Sequence, residues 1–277
     1  MSRLPLIADL SSLGLSQAAL EGRAKTIGGS DANILAAGNP ERIYQMWAEK
    51  AGKVEREDLS QVLPVQMGNW TEPFNAAWYQ QETGNLISER DSAISDMEHS
   101  WRTATLDGFV TLDQGRAIWE AKHTNAFASM EEAIDKYFPQ LQHNMDVAGV
   151  NFAVLSVLFG NLKYGFAVIE RDEDYAAQLF ELEKSFYQNM VTGEAPVVLN
   201  TIEKPVDPDD MRVVDMEGNN EWASLSADYF EHKEGAATFD KAKASLKKLV
   251  EKDVKMASGY GLIIKRSANG SLRFSEE

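Results

Sequence analysis

The sequence predicts an α/β or α+β core followed by a C-terminal appendage. Residues 107–122 have a pattern typical of a β-hairpin, and segments of helical periodicity alternate with shorter strand-like segments up to about residue 193. The composition changes after Ala195-Pro196. A chain of 277 residues can hold one large domain and an appendage. We therefore predict a core over residues 1–199 and an appendage over residues 200–277.

The N-terminal third is predicted to be helical after a weakly ordered lead-in at residues 1–19. Thr26–Asp31 is interpreted as a turn that enters a helix ending near Ala37, with Ser30 or Asp31 as its N-cap. Two further helices are predicted, and they cover residues 41–51 and about 62–83.

Strands and longer helices are predicted for the rest of the core, with strands at residues 86–90, 101–105 and 164–171 and helices at 140–158 and 175–193. The longest apolar run, Phe152–Phe159, is too short to span a bilayer and is interpreted as buried helix. In the appendage we predict a linker at 204–210, one or two helices within 221–251, and a hairpin of residues 261–266 and 272–274 around Asn269-Gly270.

The predicted hairpin carries acidic and basic side chains on one face. Apolar residues flank an Asp-Gln-Gly turn, Asp107 enters the first strand, and Glu120-Ala121-Lys122 ends the second. Side chains alternate between faces, so Glu120 and Lys122 share a face and Ala121 points away. With Gln114-Gly115 as a two-residue turn, Asp107 lies across from Lys122 and diagonal to Glu120. A three-residue turn would place Asp107 on the other face.

Two carboxylates and an ammonium group at cross-strand distance have two interpretations. They supply oxygen ligands for a divalent metal with a cation beside it, which is the minimum for metal-assisted hydrolysis of a phosphodiester. They are also typical of a solvent-exposed cross-strand ion pair without chemistry, which these residues alone favour.

Composition excludes several kinds of site. Hydrophobic content of 44% and charged content of 25% are ordinary for a soluble globular protein. The absence of cysteine excludes disulfides, thiolate zinc sites and cysteine nucleophiles, and no signal peptide or bilayer-spanning run is visible, so we expect an intracellular protein. The net charge of −16 argues against broad adhesion to nucleic acid but is compatible with a basic groove.

Three other features can contribute to the same site. Glu72 has apolar helix neighbours and can face inward, although an exposed helical glutamate is the simpler interpretation. The Gly28-Gly29-Ser30-Asp31 turn offers free N–H groups at a helix start, which favour a phosphate, and Arg23 lies just upstream. Gln140 can contact a metal-bound water or a phosphate.

Taken in order, these residues resemble the lambda-type (YqaJ-like) phage exonucleases of the restriction-endonuclease-like superfamily. The resemblance covers about residues 20–197, and each of its motifs is weak alone. The motifs are Arg23 seven residues before Ser30, Gly68-x-x-x-Glu72, Thr105-Leu-Asp107-Gly108, Glu120-Ala-Lys122, Gln140-Leu-Gln142-His143-x-Met145 and Val168-Ile-Glu-Arg-Asp-Glu173-x-Tyr175. His123 stands where these enzymes often carry Cys-Pro, a departure that does not touch the chemistry.

The resemblance implies a restriction-endonuclease-like core, with a central mixed β-sheet flanked by helices, that digests double-stranded DNA from 5′ ends to mononucleotides and leaves a 3′ single strand. Asp107, Glu120 and the Ala121 carbonyl would hold two Mg²⁺ ions, or Mn²⁺, with Glu72 close by. Lys122 would orient or deprotonate water with help from Gln140, and Arg23 and Ser30 would bind the 5′-phosphate. The resemblance also implies a homotrimer around the DNA and a partner protein that anneals single strands. It further implies no membrane contact and a location in the cytoplasm of a bacterium that hosts the phage or prophage.

Other functions stay open at this level. A non-catalytic DNA-end or protein-binding module of the same fold, including an acidic DNA mimic, would tolerate loss of the Asp107, Glu120 and Lys122 set, which is intact here. A Cas4-like exonuclease usually needs cysteines for an iron–sulfur cluster. A restriction endonuclease needs base-reading loops, which are not identifiable in this chain.

Overall fold

The predicted hairpin belongs to a four-stranded mixed sheet in the computed structural model of the chain, which describes residues 24–197, 212–232, 236–267 and 270–276. The chain divides into two compact units, residues 1–202 and residues 203–277. The boundary predicted between residues 199 and 200 and the linker predicted at 204–210 both lie outside the described residues.

The sheet of the N-terminal unit has the strand order β3-β4-β5-β6. Its strands are β3 (Gly108–Leu112), β4 (Gly115–Thr124), β5 (Phe152–Phe159) and β6 (Lys163–Glu170). The pair β4/β5 is parallel, and the pairs β3/β4 and β5/β6 are antiparallel. A parallel pair needs a crossover connection, and helix α4 (Met130–Ala148) supplies it.

The sequence interpretation of residues 140–158 as one helix is wrong. The helix ends at Ala148, and the apolar run at 152–159 is β5, which is buried over most of its length. A strand covered on both faces loses the alternation that identifies strands, so its pattern cannot be told from that of a buried helix.

Helices cover both faces of this sheet. Leu141 and Met145 of α4 pack with Leu155 of β5 on one side. On the other side, Tyr79 of α3 (Leu63–Thr83) packs with Trp119 of β4. Among the described residues, the other helices of the unit are α1 (Gly29–Ala37), α2 (Pro40–Lys50) and α5 (Glu173–Thr192). The prediction of an α/β core with a mixed sheet between helices is therefore confirmed.

A second, two-stranded sheet precedes β3, and the strand predicted just before it, at residues 86–90, is wrong. Its strands are β1 (Ser92–Ser95) and β2 (Thr103–Leu106), which pair antiparallel. Residues 86–90, predicted as a strand, make only a single bridge from Ser88 to Phe109. Positive φ angles at Glu89 (49°) and Asp91 (55°) turn the chain there, and this backbone state interrupts an extended strand.

The C-terminal unit has its own sheet and core. The sheet order is β10-β9-β8-β7, built from β7 (Arg212–Asp215), β8 (Val254–Gly259), β9 (Leu262–Arg266) and β10 (Leu272–Glu276). Two helices, α6 (Asn220–His232) and α7 (Ala236–Leu249), pack on it around Trp222 and Leu246. The predicted β9–β10 hairpin is present, while Asn269 of its turn lies outside the described residues.

Within the part of the chain that the structure describes, no helix has the length and apolar character needed to cross a membrane.

Candidate active site

The register of the β3–β4 hairpin decides which side chains meet. Leu112 pairs with Gly115 and Gly108 pairs with Trp119, so the two-residue turn is Asp113-Gln114 and not the predicted Gln114-Gly115. Continuing this register by one position places Asp107 opposite Glu120, where the prediction had placed it opposite Lys122. The shift is two residues along β4, an even number, so Asp107 stays on the predicted face.

Glu120 is the centre of the site and is only 2% exposed. Its Oε1 accepts hydrogen bonds from Lys122 Nζ at 2.7 Å and from Gln140 Nε2 at 2.6 Å. Gln140 comes from α4, so the crossover helix brings this amide to β4. The ammonium group of Lys122 also lies 4.9 Å from the centre of the Tyr137 ring on the same helix.

Asp107 lies between β2 and β3 and reaches the next strand. Its Oδ2 accepts a hydrogen bond from the Ala121 N–H at 2.8 Å. The N–H and C=O of one residue in an extended strand point to the same side, so the Ala121 carbonyl is directed toward the edge that Asp107 occupies. Gly108 is required beside it, because a Cβ there would lie 2.4 Å from Ile87 Cγ2 and 3.2 Å from the Ser88 carbonyl oxygen.

Negative charge is poorly balanced in this cluster. Burial raises the pKa of Asp107 well above its ordinary value, and repulsion from Glu120 and Glu72 raises it further, against an opposing effect of Lys122. The pKa of Glu72 is also raised, mainly by burial, although its Oε1 accepts a hydrogen bond from Arg90 Nη2 at 2.8 Å. We call Asp107, Glu120, Lys122, Gln140 and Glu72 the active-site cluster.

The same carboxylates shift the pKa of Lys122. Burial alone would lower the pKa of this ammonium group, but Glu120 and Asp107 outweigh burial and raise the pKa above its ordinary value. The sequence left open which effect would prevail. With these neighbours Lys122 is therefore a cation, suited to holding a water or a phosphate oxygen by hydrogen bonds.

The predicted phosphate-binding residues are placed only in part. Ser30 is exposed at the second position of α1, and Arg23 lies outside the described residues. The N-cap of α1 is Gly28, not Ser30 or Asp31 as predicted, and Asp31 Oδ2 instead accepts the Gly28 N–H at 2.8 Å. The helix therefore begins two residues earlier than a Ser30 cap would place it, because the acidic side chain reaches back from the first turn instead of capping from outside it.

Sequence reasoning missed residues that contact the cluster. Asn144 Nδ2 donates to Glu120 Oε2 at 3.3 Å, and Asn33 of α1 contacts Gln140. Asn144 follows Gln140 by four residues, so helical periodicity would have placed it on the same face. Asn33 and Arg90 come from distant segments, and nothing in the local sequence indicates their contacts.

The donor set fits a hard divalent cation. In the described ranges no three His, Cys, Asp or Glu side chains are grouped closely enough to hold a metal by themselves. The available oxygens are instead two carboxylates and a backbone carbonyl, which is the ligand chemistry of Mg²⁺ with water completing its shell. The mutual repulsion that raises the pKa of Asp107 is the charge imbalance that such a cation would relieve.

A separate buried ionic cluster uses other residues of α4. Arg102, 2% exposed, donates from Nε to Glu183 Oε2 at 2.8 Å and from Nη1 to Asp146 Oδ2 at 2.7 Å. His143 Nδ1 lies 2.7 Å from Glu183 Oε1. We call the whole set the ionic cluster, with these members: Arg102, Glu183, Asp146, His143, Asp96 and Arg171.

Comparison with known proteins identifies relatives of this chain. Residues 20–151 match the YqaJ-like viral recombinase domain, so the predicted family resemblance is confirmed. The uncharacterized protein YqaJ of Bacillus subtilis (strain 168) is 28% identical over 204 residues, which cover 71% of this chain and 63% of that protein. The chain therefore spans somewhat less than two thirds of the length of this relative.

Two solved structures are similar in fold. LHK-Exo in complex with dAMP superposes with a TM-score of 0.54 at 18% identity, over 65% of this chain and 94% of that chain. The alkaline exonuclease LHK-Exo from Laribacter hongkongensis gives a TM-score of 0.52 at 17% identity with the same coverage. The predicted restriction-endonuclease-like fold is confirmed by these neighbours.

Proposed function

We propose, from the match of residues 20–151 to the YqaJ-like viral recombinase domain, that this chain is a Mg²⁺-dependent exonuclease. It degrades linear double-stranded DNA from the 5′ end to mononucleotides and leaves a 3′ single strand. One observation carries the proposal: the Asp107 carboxylate accepts the N–H of Ala121, close enough to Glu120 for the two charges to repel, and the Lys122 ammonium lies 2.7 Å from Glu120.

Each residue of the cluster has a role in hydrolysis. Asp107, Glu120 and the Ala121 carbonyl would hold Mg²⁺, or Mn²⁺, with Glu72 close by. When bound, the metal supplies an activated water and positive charge for the phosphorane and the leaving oxygen. Lys122 holds the attacking water or a phosphate oxygen as a cation, and Gln140 keeps Glu120 in place.

The direction of digestion would come from recognition of the end. Arg23 and Ser30 would hold the 5′-terminal phosphate, with α1 N–H groups directed at it. Water attacks phosphorus, and the bond to the 3′ oxygen breaks, so the product is a nucleoside 5′-monophosphate and the next nucleotide carries a new 5′-phosphate. dAMP, the compound named in the LHK-Exo complex, is a mononucleotide of this kind.

The remaining parts of the proposal follow from the family. A homotrimer around the DNA would retain the substrate between turnovers, and a single-strand annealing protein would receive the 3′ strand. The reaction would take place in the cytoplasm of a bacterial host. Mass photometry of the purified protein and co-purification with the annealing protein test these two assembly proposals.

A digestion assay with end-labelled DNA tests the central proposal. Linear duplexes carrying a label at the 5′ or the 3′ end, with 5′-phosphate, are incubated with the protein with and without Mg²⁺. We expect Mg²⁺-dependent release of mononucleotides that starts at 5′ ends, while closed circular DNA stays intact. Binding without digestion would support a non-catalytic DNA-end module, and cutting of the circle would support an endonuclease.

A further inference from the structure

Both oxygens of the Glu120 carboxylate are held from helix α4. Gln140 Nε2 donates to Oε1 at 2.6 Å, and Asn144 Nδ2 donates to Oε2 at 3.3 Å. Asn144 is 1% exposed, and its Oδ1 has no hydrogen-bond partner among the described residues. A carboxylate held at both oxygens cannot rotate freely, so its orientation depends on these two amides.

Asn33 of α1 determines which end of the Gln140 amide faces Glu120. Asn33 Oδ1 accepts the backbone N–H of Gln140 at 2.8 Å, and Asn33 Nδ2 donates to Gln140 Oε1 at 3.4 Å. A glutamine amide has one accepting end and one donating end. With Oε1 turned toward Asn33, Nε2 is turned toward Glu120.

Two features of the sequence make this contact feasible. Pro139 lies inside α4 just before Gln140, and a proline within a helix is a place where a side chain can enter the hydrogen-bond ladder. Gly29 lets α1 approach α4, since a Cβ on Gly29 would lie 2.4 Å from Asn144 Oδ1 and 2.9 Å from Gln140 Cγ.

We propose that Asn33 and Asn144 are positioning residues, which fix the Gln140 amide and the Glu120 carboxylate in the orientation needed for turnover. The consequence for turnover rests on the proposed nuclease function. The geometric part does not, because it concerns the orientation of Gln140 in the metal-free protein. Residues that orient metal-binding carboxylates typically change metal affinity or activity by about 10- to 100-fold when mutated.

The sharpest variant is Asn33→Asp, which keeps an acceptor for the Gln140 backbone but removes the donor to Gln140 Oε1. The Gln140 amide then turns its Nε2 toward the new carboxylate and its Oε1 toward Glu120, where two acceptors repel. We expect kcat to fall about 10- to 100-fold while KM changes less than about threefold. Asn39→Asp is the matched control, because Asn39 caps α2 through the Arg42 N–H and aspartate caps as well as asparagine.

NMR of the Gln140 side-chain amide gives a readout without metal or DNA. The resonance is assigned by its loss in Gln140→Glu. In the unmutated protein we expect one Gln140 amide proton to exchange slowly with water because it is bonded to Glu120. In Asn33→Asp the Nε2 protons donate to the new carboxylate instead of Glu120, so we expect the proton and nitrogen chemical shifts of this amide to change, while they stay unchanged in Asn39→Asp.

The outcomes separate the two proposals. A wild-type protein that digests no DNA contradicts the proposed function, while the NMR result still decides the geometry. An active wild type, together with unchanged kcat and unchanged Gln140 amide chemical shifts in Asn33→Asp, overturns the positioning roles. If Asn33→Asp does not fold, Asn33→Ala and Asn144→Ala each remove a contact without adding charge. We then expect kcat to fall about tenfold in each, and normal kcat in both overturns the proposal.

Discussion

Helix α4 contributes residues to two buried polar clusters, in which the pKa of an aspartate is shifted in opposite directions. In the ionic cluster, burial alone would raise the pKa of Asp146, but hydrogen bonds and charge from Arg102 and Arg171 outweigh burial and lower it. In the active-site cluster, burial and the neighbouring carboxylates raise the pKa of Asp107. Two guanidinium groups and His143 accompany the three carboxylates of the first set, whereas a single ammonium group accompanies the three carboxylates of the second.

The difference separates stability from function. A complete set of buried ion pairs is compatible with the folded state, but removing one partner leaves a buried charge uncompensated. Carboxylates whose ionised form is disfavoured are typical of sites that bind a cation or do proton chemistry. This contrast within one core therefore predicts opposite effects on stability when a carboxylate is neutralised in one cluster or the other.

The largest expected effect is the loss of catalysis in the active-site cluster. Lys122→Ala removes the cation that faces Glu120, and we expect kcat for digestion of a 5′-phosphorylated duplex to fall by about 100- to 1,000-fold or more. DNA binding measured by fluorescence anisotropy in Ca²⁺ should survive, and Asp107→Ala should behave alike. Lys184→Ala, in an exposed pair on α5, is the control. Normal turnover in Lys122→Ala or Asp107→Ala would show that the mutated residue does not belong to the active site.

Mutation of the ionic cluster should change the stability of the fold and not the rate of catalysis. Glu183 is fully buried between Arg102 and His143, so Glu183→Gln removes a charge that both partners face. We expect the free energy of unfolding to fall by about 3 kcal/mol, with kcat unchanged at a temperature where the variant is folded. Urea titration followed by tryptophan fluorescence measures the first quantity. A variant as stable as the wild type would show that the buried charge of Arg102 does not depend on Glu183 for compensation.

Packing between α1 and α4 is the next test. Gly29→Ala places a Cβ against Asn144 and Gln140, so we expect a loss of about 1–3 kcal/mol in unfolding free energy and a lower kcat. Gly68→Ala in α3 is the matched control, since nothing lies within 4 Å of a Cβ there. Equal stability of the two variants would contradict the close approach of α1 to α4.

How much of this the sequence predicts depends on the range of the contacts. The Asp107, Glu120 and Lys122 face was predictable because one hairpin carries all three residues, and an even shift of register keeps them together. The β5 strand was not predictable, because its unbroken apolar run lacks the two-residue alternation that identifies a strand. Asn33 could not be predicted either, since its contact with Gln140 joins residues 107 positions apart.

The smallest effect is on pH dependence in the ionic cluster. The folded pKa of Asp146 is lowered, so its contribution to stability is present above its unfolded value of about 4 and is lost as pH falls through the folded pKa. We expect unfolding free energy to fall with pH below about 4 in the wild type, and less steeply in Asp146→Asn. Thermal unfolding between pH 3 and pH 7 measures both slopes, and identical slopes would contradict the lowered pKa.

The most direct test of the charge imbalance is the unfolding free energy of wild type and Asp107→Asn at pH 7, each with and without Mg²⁺. Since the folded pKa of Asp107 is raised, its charge opposes folding above the unfolded pKa, so we expect metal-free Asp107→Asn to be more stable than wild type. Mg²⁺ should stabilise the wild type, because it binds the folded state, and should have little effect on the variant. A wild type that Mg²⁺ leaves unchanged, together with a variant less stable than wild type, would contradict the account.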